Sequence, residues 1–175
     1  MSESAERLTI AFTGPESSGK TSLSKAVAAH FSADWYAEYA REYLLENGTE
    51  YDFAAIEKIA RKQEEIRTSN AENRITVYDT EATVLYVWSQ FKYNTCSAFV
   101  EKLVRDQQID HYFLCSPEGI PWEEDPLREH PNHRNQLFEV YRTELEKQKR
   151  SFTILTGSFS ERKKKAIQLI ENILP

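Results

Sequence analysis

The stretch FTGPESSGKTSL, residues 12–23, begins where the apolar run LTIAF stops and leads into a segment with Leu23, Val27 and Phe31 on one stripe. Within it, Gly14-Pro15-Glu16-Ser17-Ser18-Gly19-Lys20-Thr21 has the spacing of glycine, four residues, then Gly-Lys-Ser/Thr. The loop lies where that motif requires, after a buried strand and before an amphipathic helix. At ordinary residue frequencies a chain of this length matches the spacing by chance in roughly 0.5–1% of cases, before the setting is counted. A turn that merely linked strand to helix would not require Lys and Thr to begin the helix. The loop is expected to bind phosphate.

The chemistry follows from position. Glycines let the backbone curl so that successive N–H groups point inward, and the helix dipole adds positive potential where a polyphosphate would lie. Gly14, Pro15, Glu16, Ser17, Ser18, Gly19, Lys20, Thr21 and Ser22 are therefore expected to surround the phosphates of ATP. Lys20 is expected to bridge the β- and γ-phosphates, and Thr21 to offer its hydroxyl to Mg²⁺, which needs few protein oxygens.

Five short runs rich in apolar or β-branched residues read as strands: 8–14, 34–39, 74–80, 111–116 and 152–157. Between them, stripes near helical spacing run through Phe53, Ile56, Ala60 and Ile66, then Leu85, Trp88 and Phe91. Others follow at Phe99 and Leu103, at Leu137, Tyr141 and Leu145, and at Ile167, Ile170 and Leu174. Strands alternating with helices predict an α/β parallel sheet with ligands outside the carboxyl ends of the strands. With 175 residues, 40% of them hydrophobic, one domain over 1–175 is expected.

The net charge of −6 gives no general electrostatic reason to expect a nucleic-acid or acidic-membrane partner, so a small-molecule partner is expected. No apolar run approaches bilayer-spanning length, and MSESAERLTI lacks a secretory pattern; a cytoplasmic location is expected. Cys96 and Cys115 fit neither a disulfide scaffold nor a zinc site.

Asp79 ends the third strand run, beside the first in a sheet of this kind, where its carboxylate can reach the magnesium shell or an acceptor hydroxyl. Glu81 can share that duty. Alternatively, Asp79 caps the helix that begins near Glu81.

Taken together, FTGPESSGKTSL, AEYAREYL (37–44), VYDTEATV (77–84), IPWEEDPLR (120–128) and Arg134 resemble the ribosylnicotinamide kinase domain of NadR-type proteins. The resemblance covers nearly the whole chain. It implies a P-loop kinase fold: a three-layer αβα sandwich with a five-stranded parallel sheet in the order 2-3-1-4-5 and a helical lid within 122–136. It also implies phosphorylation of the 5′-hydroxyl of nicotinamide riboside to the mononucleotide, a step of NAD biosynthesis. The family's Asp-Thr-Asp appears here as Asp79-Thr80-Glu81, and this chain has no counterpart of the adenylyltransferase and DNA-binding parts of some members. Neither adenylylation nor repression is expected of it.

A pyridinium nucleoside needs aromatic faces and carboxylates. Trp122, in a proline- and acid-rich loop, is expected to stack on the ring. Glu38, Tyr39 and Arg41, with Asp79 and Glu81, are expected to hold the rest. Arg128 and Arg134 are expected to close over the transferred phosphate, although each alone also reads as a surface arginine paired with Glu129 or Glu139. The run 162–165 reads as a solvated helix face. His130 and His133 lack a third convergent ligand for zinc. The catalytic set expected is thus Lys20, Asp79, Arg128 and Arg134. The competing readings are a kinase for another nucleoside or cofactor precursor, and an ATP-binding regulatory module without transferase activity.

Overall fold

The computed structural model describes residues 7–69 and 71–174. Along the chain run β1 (Leu8–Thr13), α1 (Lys20–Phe31), β2 (Asp34–Tyr36), α2 (Tyr39–Asn47), α3 (Phe53–Ser69) and β3 (Ile75–Asp79). Then follow α4 (Ala82–Tyr93), α5 (Ala98–Asp106), β4 (His111–Cys115), α6 (Arg134–Lys147), β5 (Phe152–Leu155) and α7 (Phe159–Ile173).

The strands form one five-stranded sheet in the order β2-β3-β1-β4-β5, every pair parallel. This is the P-loop kinase order. β1 sits at its centre because it is apolar on both faces. Ile10 and Phe12 pack with Leu23 and Val27 of α1 and with Ala166 and Ile170 of α7. Ala11 faces the other way, into a layer with Val87 of α4 and Leu137, Tyr141 and Leu145 of α6. A third cluster, around Ile56, Ile59, Leu85 and Val100, joins α3, α4 and α5.

Parallel register brings the strand ends together. Phe12 lies opposite Asp79 of β3 and opposite Phe113 of β4, so the loop after β1 and the carboxylate ending β3 open on the same edge. Two segments differ from the sequence pattern. β2 stops at Tyr36 instead of running to Tyr39, because α2 takes over at Tyr39 with Glu38 as its N-cap residue. The expected lid, 122–136, is irregular up to His133 and helical only from Arg134. Both cysteines are free thiols; Cys115 is buried in β4.

Phe113 is fully buried, its ring centroid 5.1 Å from that of Phe12. Phe113→Ala is expected to cost about 3–5 kcal/mol, read as a lower urea midpoint with an unchanged slope.

Candidate active site

The phosphate-type loop is shaped by two glycines. At Gly14, φ is +131°, and a Cβ would stand 2.8 Å from the carbonyl oxygen of Cys115, so the loop rests directly on the end of β4. Gly19 is the left-handed N-cap of α1 and has no side chain to cap it, which leaves the first-turn N–H groups able to face a ligand. Lys20 Nζ donates to the carbonyl of Pro15 at 2.6 Å. The cation therefore rests on a neutral acceptor of its own loop and can turn to an anion.

Thr21 Oγ1 donates to Asp79 Oδ2 at 2.7 Å, while Asp79 Oδ1 is buried without a hydrogen-bond partner. Burial raises the pKa of Asp79; the Thr21 bond and Lys20 oppose that rise without reversing it. A hydroxyl and a spare carboxylate oxygen, side by side, are hard ligands of the kind Mg²⁺ takes alongside water and phosphate.

Beyond Asp79 the chain turns sharply. Thr80 adopts φ +69°; its N–H donates to the carbonyl of Phe12 at 2.9 Å, and its carbonyl accepts from the buried guanidinium of Arg67. Glu81, fully buried, is the N-cap of α4. It accepts from Thr13 Oγ1 at 2.8 Å, from Thr83 N–H at 2.7 Å and from Gln107 Nε2 at 2.9 Å. The cap is thus Glu81 and not Asp79. Three donors on one buried carboxylate make Glu81 a brace between β1 and α4, and it does not line the cavity expected for substrate.

That cavity, of about 250 Å³, has residues 14–22 as one wall. Glu38 and Arg41 enter it from the end of β2 and the start of α2, and Arg128 from the 122–133 loop. Its aromatic side chains are Tyr51, Trp88, Phe91 and Tyr141. Trp122 is not among them. It lies with the guanidinium of Arg134 5.7 Å from its ring centroid, held outside the cavity by the loop it belongs to. Tyr39 is not among them either and packs against the third cluster, around Ile56, Ile59, Leu85 and Val100.

Trp88 Nε1 donates to Tyr51 Oη and Tyr51 Oη donates to Glu129 Oε2, each at 2.6 Å. Lys92 completes the group, 3.0 Å from Glu129 Oε1 and 3.7 Å above the Tyr51 ring. The 122–133 loop is tied down elsewhere too. Arg41 pairs with Asp125 at 2.8 Å, and the carboxylate of Glu16 accepts the N–H groups of Glu129 at 3.2 Å and His130 at 3.1 Å. Arg128 pairs with Glu123 at 3.3 Å rather than with Glu129. Arg134 pairs with no carboxylate among the described residues: its Nη1 donates to the carbonyls of Ser17 at 3.0 Å and Ile120 at 2.9 Å.

Glu38 is pushed up to about 7, first by burial and then by the charges of Asp79 and Glu16, which outweigh Lys20 and Arg41. Several lining residues escape sequence reading, the aromatic ones among them. Tyr51 lies in a loop, while Trp88 and Phe91 sit on a stripe that looks like core. The available signal is that this stripe begins directly after the carboxylate that ends β3. Arg162 departs from the expected solvated face, being only 1% exposed. His130 and His133 pack edge-on against Phe91, and the described residues hold no group of three His, Cys, Asp or Glu side chains placed for a metal. No helix among them is long and apolar enough to cross a membrane.

A family model described as "AAA domain" matches residues 9–162. Among solved structures, the chain is similar to NadR protein in complex with NAD and AMP-PNP, with a TM-score of 0.75 at 19% identity over 96% of this chain and 50% of that one. NadR in complex with NR gives the same score and identity, over 96% and 51%. A thymidylate kinase from Ehrlichia chaffeensis follows at 0.69 and 13% identity, over 94% and 99%. A deoxyadenosine kinase from M. mycoides, with products dCMP and a flexible dCDP bound, gives 0.68 and 12%, over 95% and 100%. The chain spans about half the length of the NadR chains it matches, and at these identities the likeness is one of fold. A search of curated proteins gives no match.

The Glu38 carboxyl carries a sign for stability. Its folded value of about 7 exceeds the ordinary 4.5, so between those limits the folded chain binds more protons than the unfolded one. The contribution of Glu38 is fully present below the ordinary value and is lost as pH rises through about 7. In the ligand-free protein, Glu38→Gln is therefore expected to gain thermal stability relative to wild type as pH is raised. A difference in Tm that stays flat with pH would place the carboxyl in a solvent-like setting.

Proposed function

The chain belongs to the AAA domain family, and from its fold likeness to NadR and to nucleoside and nucleotide kinases we propose that it works as a P-loop kinase domain that transfers the γ-phosphoryl group of ATP to a nucleoside hydroxyl, with the 5′-hydroxyl of nicotinamide riboside as acceptor. One observation carries the reading. The phosphate-type loop shares its cavity with an aromatic-walled recess holding a carboxylate of its own, Glu38. A module that only sensed ATP would not need that second compartment.

The loop amides and Lys20 hold the triphosphate, with Lys20 leaving the Pro15 carbonyl for the phosphates. The residues fit magnesium: Thr21 and Asp79 are the oxygens that would hold it, and when bound it offsets phosphate charge. The acceptor oxygen bonds to the γ-phosphorus as the bond to the bridging oxygen of ADP breaks. Asp79 orients the hydroxyl and takes its proton late, positioning being the larger part of its effect. Arg128 and Arg134, in a lid within 122–136, offset the charge of the transferred group. Glu38 and Arg41 meet the ribose side of the acceptor.

The pyridinium is assigned to Trp88 and Tyr51, in place of the Trp122 platform read from the sequence. A cation over the Trp88 face gains about 0.5–2 kcal/mol, while one face of Tyr51 already carries Lys92. The fold likeness to deoxyadenosine and thymidylate kinases keeps a second acceptor class in view, an ordinary nucleoside or nucleotide stacked in the same recess.

Release of ADP from Mg-ATP, with product mass, decides between them across a panel of nicotinamide riboside and ordinary nucleosides. Turnover selective for the pyridinium nucleoside and absent in Lys20→Ala is expected; turnover only with other nucleosides would transfer the assignment to them. Asp79→Asn is expected to keep ATP binding largely intact while losing turnover by orders of magnitude, whereas equal loss of both would make Asp79 structural or chiefly a metal anchor. Trp88→Ala is expected to raise the acceptor KM roughly tenfold with the ATP KM unchanged, and Trp122→Ala to leave both near wild type.

A further inference from the structure

The guanidinium of Arg162, on the first turns of α7, is buried and meets only backbone carbonyls. Nε donates to Gly157 at 2.7 Å, Nη1 to Ser116 at 2.7 Å and to Ser18 at 3.4 Å, and Nη2 to Glu118 at 3.1 Å. These acceptors belong to three separate stretches: the phosphate-type loop, the turn after β4 and the turn after β5. A buried cation is costly unless its donors are met, and here oriented carbonyl dipoles meet them. Lysine, with one compact ammonium, cannot span the same fork.

Arg162 matters to the loop because of peptide geometry. A planar trans peptide points its C=O and N–H in opposite directions. Fixing the Ser18 carbonyl toward Arg162 therefore turns the Gly19 N–H away from it, toward the side of the loop that lines the cavity. Arg134 does the same one residue earlier, drawing the Ser17 carbonyl outward at 3.0 Å. At the other end, Gly14 rests on the Cys115 carbonyl. The loop is pinned from behind at both ends.

We infer that Arg162 is a positioning residue for ATP: it holds the Ser18–Gly19 peptide so that its N–H presents to the phosphates, and it locks that peptide to the turns after β4 and β5. The inference rests on the loop being the ATP site but is independent of which acceptor is phosphorylated. Arg162 does not line the cavity, so its effect should fall on ATP affinity alone.

The test is direct equilibrium binding of AMP-PNP to wild type, Arg162→Met and Arg162→Lys, each checked for a cooperative melt, followed by steady-state kinetics. Failure of wild type to bind AMP-PNP would overturn the nucleotide reading itself. With wild type binding, Arg162→Met is expected to bind roughly tenfold or more weakly, with a matching rise in ATP KM and little change in kcat or acceptor KM. Arg162→Lys should fall between the two. Wild-type affinity in a folded Arg162→Met, or equal loss of ATP and acceptor KM, would overturn the inference. Should neither variant fold, amide exchange of the wild-type protein with inorganic tripolyphosphate decides, since this probe has no base to touch the flanking turns. Protection rising in the loop together with 116–118 and 157–162 supports the inference; protection confined to the loop overturns it.

Discussion

The 2.7 Å hydrogen bond from Thr21 to Asp79 joins the first turn of α1 to the carboxyl end of β3, and the rest of the site depends on it. It can form only if β3 lies beside β1 in the register that sets Asp79 opposite Phe12. That register is fixed by packing. A slip of one residue would turn the buried β3 positions Ile75 and Val77 to the opposite layer. The apolar core thus sets a polar distance, and the left-handed turn at Thr80 then swings the chain so that the next carboxylate, Glu81, points beneath the sheet edge and not into the cavity.

Four carboxylates crowd this edge of an acidic chain, and each is settled differently. Glu81 is met by three donors and braces α4. Glu16 accepts two backbone N–H groups of the 122–133 loop. Asp79 keeps one oxygen on Thr21 and one bare. Glu38 is left with the opposing charges of Lys20 and Arg41 against burial, Asp79 and Glu16, and is the one that shifts to about 7. Of the two least satisfied, Asp79 meets the loop through Thr21 without lining the cavity, and Glu38 lines it; unmet charge of this kind gathers at functional sites.

The sheet was legible in the sequence because its signal is local: five runs rich in apolar or β-branched residues appear where the five strands lie, largely buried in β1, β3 and β4 and half-buried at the edges β2 and β5. The loop motif was legible for the same reason, since glycine freedom and the Lys-Thr helix start are read over eight residues. What was illegible depends on partners far along the chain. Arg162 stands in a basic run that looks solvated, and only the approach of the turns after β4 and β5 buries it. Trp122 has the neighbours of a binding loop, yet that loop turns its ring toward Arg134. Trp88 and Phe91 share a period with buried Leu85, and periodicity alone does not tell a core face from a cavity wall.

The order of the 122–133 loop follows from the same network. It has no helix or strand of its own, and each exposed ion pair on it would contribute little. Yet Asp125 is tied to α2 through Arg41, and the backbone at 129–130 to the phosphate-type loop through Glu16. The Glu129 side chain is tied to Tyr51 and Lys92, and through Tyr51 to Trp88. Ties that converge on one short segment restrain it together, because the ordering entropy met by the first is not met again by the others. Glu129 is where the loop and the aromatic wall join: its N–H meets Glu16 of the phosphate-type loop and its carboxylate meets Tyr51. A displacement of either side is therefore felt at the other through a single residue, and the position of Arg128, its neighbour in the chain, is set by both.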